Sequence, residues 1–141
     1  MATKLITHPH RKLSCGTFWS NPKDLDFTKI KNECAMLCSL HNGVAIAAPQ
    51  VGKLERWFYH AGLHQVFVNP AIVDSSETTE VELEGCLSLP NQWLPIERRT
   101  FVRVHWEDED SNWNTGEFHG LEARIVQHEI DHLNGICIID K

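Results

Sequence analysis

The segment from His128 to His132, with the sequence HEIDH, constrains this chain more than any other. In a helix, two histidines spaced i, i+4 lie on one face one turn apart, so both imidazoles can bind one metal ion. Glu129 lies about 100° round the helix from His128, and from there its carboxylate can reach a water molecule on that metal. Because two ligands make a weak site, the pattern predicts that another part of the chain supplies a third.

The residues around this segment predict a helix that presents its histidines inward. Leu121, Ile125, His128 and His132 recur at helical spacing, and Gly135 is a helix stop. The alternative is an amphipathic helix whose histidines are satisfied in the core. An unpaired polar group on an inward face costs free energy, which favours metal ligation over that alternative.

Cys86 is a candidate third ligand, since it lies in a glycine-flanked turn, Glu84–Ser88, that is followed by Pro90. A thiolate and two imidazoles suit a divalent transition metal with one position left open for water. Cys34 and Cys38 are also spaced i, i+4, but they fall on an apolar stripe and are predicted to be core residues. The five cysteines are odd in number and form no CxxC pair, which indicates free thiols in a reducing compartment.

Length and charge narrow the class of protein. A chain of 141 residues predicts one domain with a single core over 1–141. The net charge of −6 provides no basic surface for nucleic acid and does not favour an anionic membrane. No apolar run approaches a membrane span, and no secretory signal is recognisable at the N-terminus.

Periodicity and turn residues predict an α+β fold, with small antiparallel sheets packed around a central C-terminal helix that carries HExxH. A first helix over 26–41 would be capped by Asp24 or Asp26 and would stop at Asn42–Gly43, with Gly43 at positive φ. The acidic stretch 74–84 is predicted to be a solvated strand edge at every acidic residue except Glu84, and a lone Gln50 would ordinarily be a surface residue. The predicted strands are 44–47, 56–60, 63–68, 71–73, a hairpin of 101–106 with 115–119, and 136–139.

Three segments together resemble the peptide deformylase family. The family motifs GxGxAAxQ, EGCLS and HExxH occur here in that order, as GVAIAAPQ over 43–50, EGCLS over 84–88, and HEIDH over 128–132. The match extends from about residue 43 to residue 139. The resemblance is therefore carried by all three motifs and by their order, and not by the HExxH pattern alone.

The resemblance implies a role for each motif position. Glu129 would be the general base and acid, while Gln50 and the backbone N–H of Leu87 would hold the oxyanion. The implied metal ligands are Cys86, His128 and His132. The implied substrate-binding positions, with Ile125 and His128 beside the methionine pocket, are Gly43, Val44, Ala45, Glu84, Gly85 and Ile125.

The resemblance also implies the reaction and its setting. The cofactor would be Fe²⁺, with Zn²⁺ or Ni²⁺ able to occupy the same site. The substrate would be the N-formyl-methionyl end of a new polypeptide, and the products would be formate and a free amino terminus. We expect a cytoplasmic monomer, in a bacterium or a phage-infected host cell. The resemblance is compatible with association with the ribosome, and we expect no direct binding to nucleic acid or to a membrane.

The chain departs from the family pattern at three places. Ala45 replaces the second glycine of the first motif, and its methyl group would narrow the cleft slightly. Trp93 stands where many members have a basic or other polar residue near the cleft mouth. The sequence stops at Lys141, which predicts the short form carried by phages, without the C-terminal extension of many bacterial members.

Two other functions remain open at this stage. A zinc peptidase with HExxH would normally take its third ligand from a downstream His or Glu, and the nine residues after His132 contain neither. A non-catalytic metal-binding domain would have a closed site of four ligands and no use for Glu129.

Overall fold

The computed structural model describes residues 3–141, which form two helices and seven strands. The helices are α1 (Phe27–His41) and α2 (Gly120–Leu133). The strands are β1 (Ala45–Ala47), β2 (Trp57–His60), β3 (Gln65–Ser75), β4 (Thr79–Cys86), β5 (Leu89–Arg99), β6 (Phe101–Glu107) and β7 (Trp113–His119). The predicted α+β fold, with antiparallel sheets and a C-terminal helix that carries HExxH, is confirmed.

The strands form two antiparallel sheets that do not share a strand. Five strands pair in the order β1-β2-β3-β6-β7, and β4 and β5 pair only with each other as a long hairpin. Helix α2 contacts β1 of the larger sheet and β5 of the hairpin. The C-terminal helix therefore lies where the two sheets approach each other.

Helices cover both faces of the five-stranded sheet at β2, so this strand is buried on both sides. Along β2, Trp57 and Tyr59 face α1, while Phe58 between them faces α2. This alternation follows from the two-residue side-chain period of a strand. Cys34 and Cys38 of α1 lie in the first of these two cores, which confirms that they are core residues.

Both ends of α1 were predicted correctly, but the residue at positive φ was not. Asp26 is the N-cap, and its carboxylate accepts a hydrogen bond from the Lys29 N–H at 3.1 Å. Asn42, and not Gly43, adopts the left-handed conformation at the C-cap, with φ of 56°. Gly43 instead packs against the Leu87 side chain, which would have to move if residue 43 had a Cβ, since that atom would lie 2.5 Å from Cδ1 of Leu87.

Several strand boundaries also differ from the prediction. Residues 65–68 and 71–73 belong to one strand, β3, because Asn69 forms a bulge at φ of 50° and does not end the pairing. Residues 63 and 64 lie in the turn before this strand. The Asn69 amide stabilises this bulge by donating to Glu107 Oε2 at 2.7 Å. The predicted strand 136–139 is wrong, since Ile138–Asp140 is a single 3₁₀ turn. The hairpin of β6 and β7 is confirmed, whereas β5 was not predicted at all.

Helix α2 uses different faces for the core and for its histidines. The core-facing residues are Ala123, Val126, Ile130 and Leu133. The predicted inward stripe is wrong at Leu121, which is 71% exposed. Of its other members, Ile125 and His128 line an open cleft together with Leu121, and His132 is buried. Neither helix in the described chain is long and apolar enough to cross a membrane.

Candidate metal site and substrate cleft

The turn between β4 and β5 brings Cys86 to the histidines of α2. A register shift between Gly85 and Cys86 redirects the strand just before this turn. Cys86 Sγ lies 3.2 Å from His132 Nε2, which lies 3.2 Å from His128 Nε2. The three predicted ligands therefore converge, and their ligand atoms all lie within 4.8 Å of one another.

Glu84 fixes the orientation of His128. Its buried carboxylate accepts a hydrogen bond from His128 Nδ1 at 2.8 Å. It also accepts hydrogen bonds from Arg98 Nε at 2.8 Å, from Arg98 Nη2 at 3.0 Å and from Arg124 Nη1 at 2.6 Å. Because an ionised carboxylate only accepts, Nδ1 carries the proton and the Nε2 lone pair faces the cleft. Burial alone would raise the pKa of Glu84, but the hydrogen bonds from His128 and Arg98 hold it well below its usual range.

Two arginines that the sequence reasoning missed tie the hairpin to α2. Arg98 also pairs with Asp131, one residue before His132. Arg124 donates to the backbone carbonyls of Ile96 and Glu80, at 2.9 and 2.8 Å. Arg98 lies on β5, the strand that was not predicted, so its approach to the site had no signal in the sequence. Arg124 lies one helical turn before His128, a spacing that could have indicated a contact near the site.

Glu129 is buried at the base of the cleft with an oxygen free. The residue is 4% exposed, and its Oε1 has no hydrogen-bond partner among residues 3–141. Its other oxygen lies 4.0 Å from His128 Nε2. Burial raises the pKa of Glu129 to about 7, although the charges of His128 and Arg98 act in the opposite direction. A carboxyl group with this pKa is suited to both accepting and donating a proton near neutral pH.

The Gln50 side chain is fixed with its amide N–H groups toward Cys86. Gln50 is 1% exposed, so the expectation of a surface residue is wrong, because it sits on a buried 3₁₀ turn, Ala48–Val51. Its Oε1 accepts from the Ala47 N–H at 2.8 Å. Its Nε2 donates to Ser88 Oγ at 3.2 Å and lies 3.8 Å from Cys86 Sγ.

An N-terminal segment joins the Gln50 turn to the Cys86 turn. The Ile6 N–H donates to the Gln50 carbonyl and the His8 N–H to the Ser88 carbonyl, both at 2.7 Å. The Ser88 hydroxyl in turn donates to the Ile6 carbonyl at 2.6 Å, which leaves its lone pairs to accept from Gln50. Ser88 is thus a positioning residue that its place in the second motif did not reveal.

The donor set fits a divalent transition metal. A cysteine and two imidazole nitrogens face one point, and a buried carboxylate oxygen without a partner lies beside them. Burial lowers the pKa of His132, which keeps this imidazole neutral and able to bind a metal. A hydrogen bond with Cys137 and burial raise the pKa of the Cys86 thiol. A bound metal ion would lower this pKa, because its positive charge favours the thiolate.

A cleft of about 670 Å³ opens above these residues. Gly43, Val44 and Ala45 line one side, and Glu84 and Gly85 line the other. β1 pairs only with β2, and β4 only with β5, in the part of the chain that the structure describes. Both sides of the cleft therefore present strand edges that can accept an extended peptide. Ala45 is buried, and Ile125 of α2 lines the cleft near His128.

The fold and the site together define an α+β protein with a Cys/His/His cluster at the base of a peptide-wide cleft. The model of the family described as polypeptide deformylase matches residues 20–141, and the chain belongs to that family. It is 44% identical over 103 residues to a peptide deformylase of Thermotoga neapolitana, a segment that covers 72% of this chain and 63% of that relative. The chain thus spans less than two thirds of this curated relative's length.

Solved structures with the same fold are also peptide deformylases. The class I type b enzyme of Acinetobacter baumannii superimposes with a TM-score of 0.93 at 32% identity, over 99% of both chains. A second structure of the Acinetobacter baumannii enzyme, with Met-Ala-Ser bound, gives a TM-score of 0.89 at 28% identity over 99% of this chain and 98% of that chain. These similarities support the fold over almost the whole chain.

Proposed function

We propose that this protein hydrolyses the N-formyl group from N-formyl-methionyl peptides and releases formate and a free amino terminus. The observation that carries the proposal is the convergence of Cys86, His128 and His132 beside the buried carboxylate of Glu129. Family membership and the peptide bound to the Acinetobacter baumannii enzyme support a peptide substrate.

The proposed cofactor is Fe²⁺ held by Cys86, His128 and His132, with Zn²⁺ or Ni²⁺ able to replace it. A thiolate ligand donates charge and weakens zinc as a Lewis acid, which is the reason for preferring iron. When bound, the metal would lower the pKa of a water molecule and polarise the formyl oxygen. The pairing of His128 with Glu84 supports ligation, because it presents the Nε2 lone pair to the site.

The protein groups then supply proton transfer and oxyanion stabilisation. Glu129 accepts the proton of the attacking water and later returns a proton to the leaving amine. Gln50 and the backbone N–H of Leu87 donate to the oxygen on which negative charge develops. Gln50 suits this role because Ala47 and Ser88 hold its amide in place before the substrate arrives. Loss of one such donor costs about 10²–10³ in rate.

The peptide would bind as an added strand between the two edges of the cleft. Its backbone would pair with residues 43–45 on one side and with Glu84 and Gly85 on the other. The methionine side chain would enter beside Ile125 and His128. An extended segment fits because both edges are unpaired in the described part of the chain.

We further propose that the protein acts as a monomer in the cytoplasm, on chains that emerge from ribosomes. The net charge of −6 does not favour direct binding to RNA phosphates, so association with the ribosome would require a local basic patch or a contact with ribosomal protein. Sedimentation with ribosomes at low and physiological salt tests this part separately from catalysis.

The central experiment measures formate release from formyl-Met-Ala-Ser. Protein purified anaerobically and loaded with Fe²⁺, Ni²⁺ or Zn²⁺ should release formate, and Glu129→Ala should keep its metal and lose at least about 10³ in rate. Glu82→Ala, at an exposed acidic position on β4, should behave as wild type.

The same experiment separates the other two functions. A peptidase would cleave internal bonds of unformylated peptides, and a purely structural site would bind metal without any turnover. In the described chain only three donors converge, which leaves a position for water. Absence of formate with all three metals would refute the proposed function.

A further inference from the structure

Four large apolar side chains stand exposed around the mouth of the cleft. They form the apolar rim, defined as Val44, Leu83, Trp93 and Leu121, with exposed fractions of 56%, 65%, 67% and 71%. The rim residues come from both sides of the cleft and from α2. Exposed apolar groups that cluster at one opening mark a surface that is covered during function.

The backbone of the hairpin holds Trp93 in place. Trp93 pairs across the hairpin with Gly85, and its six-membered ring lies over that glycine. A Cβ at residue 85 would meet two ring carbons at 2.9 Å, so only glycine leaves room for the indole. Leu83 lies on the same face, because residues two apart on a strand point to the same side. The indole thus packs over the backbone at Gly85 and leaves its outer surface exposed beside the cleft.

The apolar rim is continuous with the proposed path of the substrate. Gly85 precedes the ligand Cys86, so a peptide whose formyl group reaches the metal site passes Trp93 with its next residues. We propose that Trp93, with the other rim residues, selects apolar or aromatic side chains at the two positions after the formyl-methionine. This inference rests on the proposed function and names the substrate class within it.

Apart from His41, the cleft residues near the apolar rim offer no free charge to an ionic side chain. Asn91 and Gln92, which precede Trp93 on β5 and line the cleft, are uncharged. The carboxylate of Glu84 and the guanidinium of Arg124 also line the cleft, but they pair with each other at 2.6 Å. A lysine or glutamate on the substrate would therefore lose water at the rim without gaining an ion pair.

The test compares kcat/KM for formyl-Met-X-Ser and formyl-Met-Ala-X, where X is alanine, leucine, tryptophan, lysine or glutamate. Wild type should prefer tryptophan or leucine over lysine by about five- to tenfold at one or both positions. Trp93→Ala should reduce this ratio to within about twofold, and Trp93→Phe should retain most of it. Trp113→Ala is the matched control, since Trp113 is an exposed indole on the β6–β7 hairpin outside the cleft lining, and it should keep the wild-type ratio.

The ratio between peptides isolates selection from folding or metal loss, which would lower all rates together. An unchanged ratio in Trp93→Ala, with formyl-Met-Ala-Ser still hydrolysed, would overturn this inference and leave the proposed function standing. A wild-type protein that hydrolyses none of the peptides would overturn both.

Discussion

Replacement of Glu84 by glutamine perturbs both stability and the metal site, because one carboxylate serves both. The substitution keeps the shape of the side chain and removes its charge. The glutamine oxygen can still accept from His128, but its amide would then face the guanidiniums of Arg98 and Arg124. These two cations lie almost entirely out of solvent, with side chains 3% and 10% exposed.

The expected cost follows from the partners that remain. Breaking a buried ion pair by removing one partner costs about 3–5 kcal/mol. Arg98 keeps its pairing with Asp131, and Arg124 keeps two backbone carbonyls, so the lower end of this range applies. A loss of about 3 kcal/mol lowers the melting temperature of a chain this size by about 10 °C. A less firmly oriented His128 should weaken metal binding by about 10- to 100-fold.

Urea unfolding of the metal-free protein and a chelator competition measure the two effects separately. Glu82→Gln, at an exposed position two residues earlier on β4, should change stability by less than about 0.5 kcal/mol. If Glu84→Gln costs less than about 1 kcal/mol and binds metal as tightly as wild type, the reasoning on this buried cluster is wrong.

Lowering the pH should remove the stabilisation that the ionised Glu84 carboxylate provides. Because the folded-state pKa of Glu84 lies below its ordinary value of 4.5, its stabilisation is fully present above that pH. It is lost progressively as the pH falls toward the folded-state pKa. The difference in unfolding free energy between wild type and Glu84→Gln should therefore shrink below about pH 4.5. A difference that stays constant down to pH 3 would contradict the depressed pKa.

Three further results are expected. Ser88→Ala should lower kcat by about tenfold with little change in KM, because Gln50 loses the acceptor that orients it; an unchanged kcat would contradict this. Bound metal should protect Cys86 from a thiol reagent while the exposed Cys15 reacts equally in both states, and equal labelling of Cys86 would refute its assignment as a ligand. Gly135→Ala should destabilise the protein by about 2 kcal/mol in urea unfolding, since φ is 79° and a Cβ would lie 2.8 Å from backbone atoms of the N-terminal segment.

The sequence predicted best where the periodic pattern and the end signals agreed. Helix α1 with its cap at Asp26, the β6–β7 hairpin and the helix that carries HExxH all have both signals. The three metal-ligand candidates also converge as predicted. The i, i+4 spacing places His128 and His132 on one helix face, and the short turn between β4 and β5 restricts the position of Cys86.

The errors have local physical causes. Strand β5 contains two prolines and several polar residues and is largely exposed, so it shows little of the apolar alternation that predicts a strand. Without that strand, the contacts of Arg98 could not be foreseen. Leu121 was assigned to the core because helical spacing shows which residues share a face, but not whether that face meets the core or a cleft. Gly43 was assigned positive φ, although Asn42 can adopt that conformation itself.

The hydrogen bonds of Ile6 and His8 have a practical consequence for anyone who modifies this protein. The family match begins at residue 20, yet this earlier segment joins the turns that carry Gln50 and Ser88. Deleting it, or adding a tag that pulls on it, would remove the hydrogen bonds to the Gln50 and Ser88 carbonyls. The damage would fall on the spacing between the amide of Gln50 and the turn of Cys86. An assay of turnover, and not of folding alone, is therefore the check that a modified N-terminus requires.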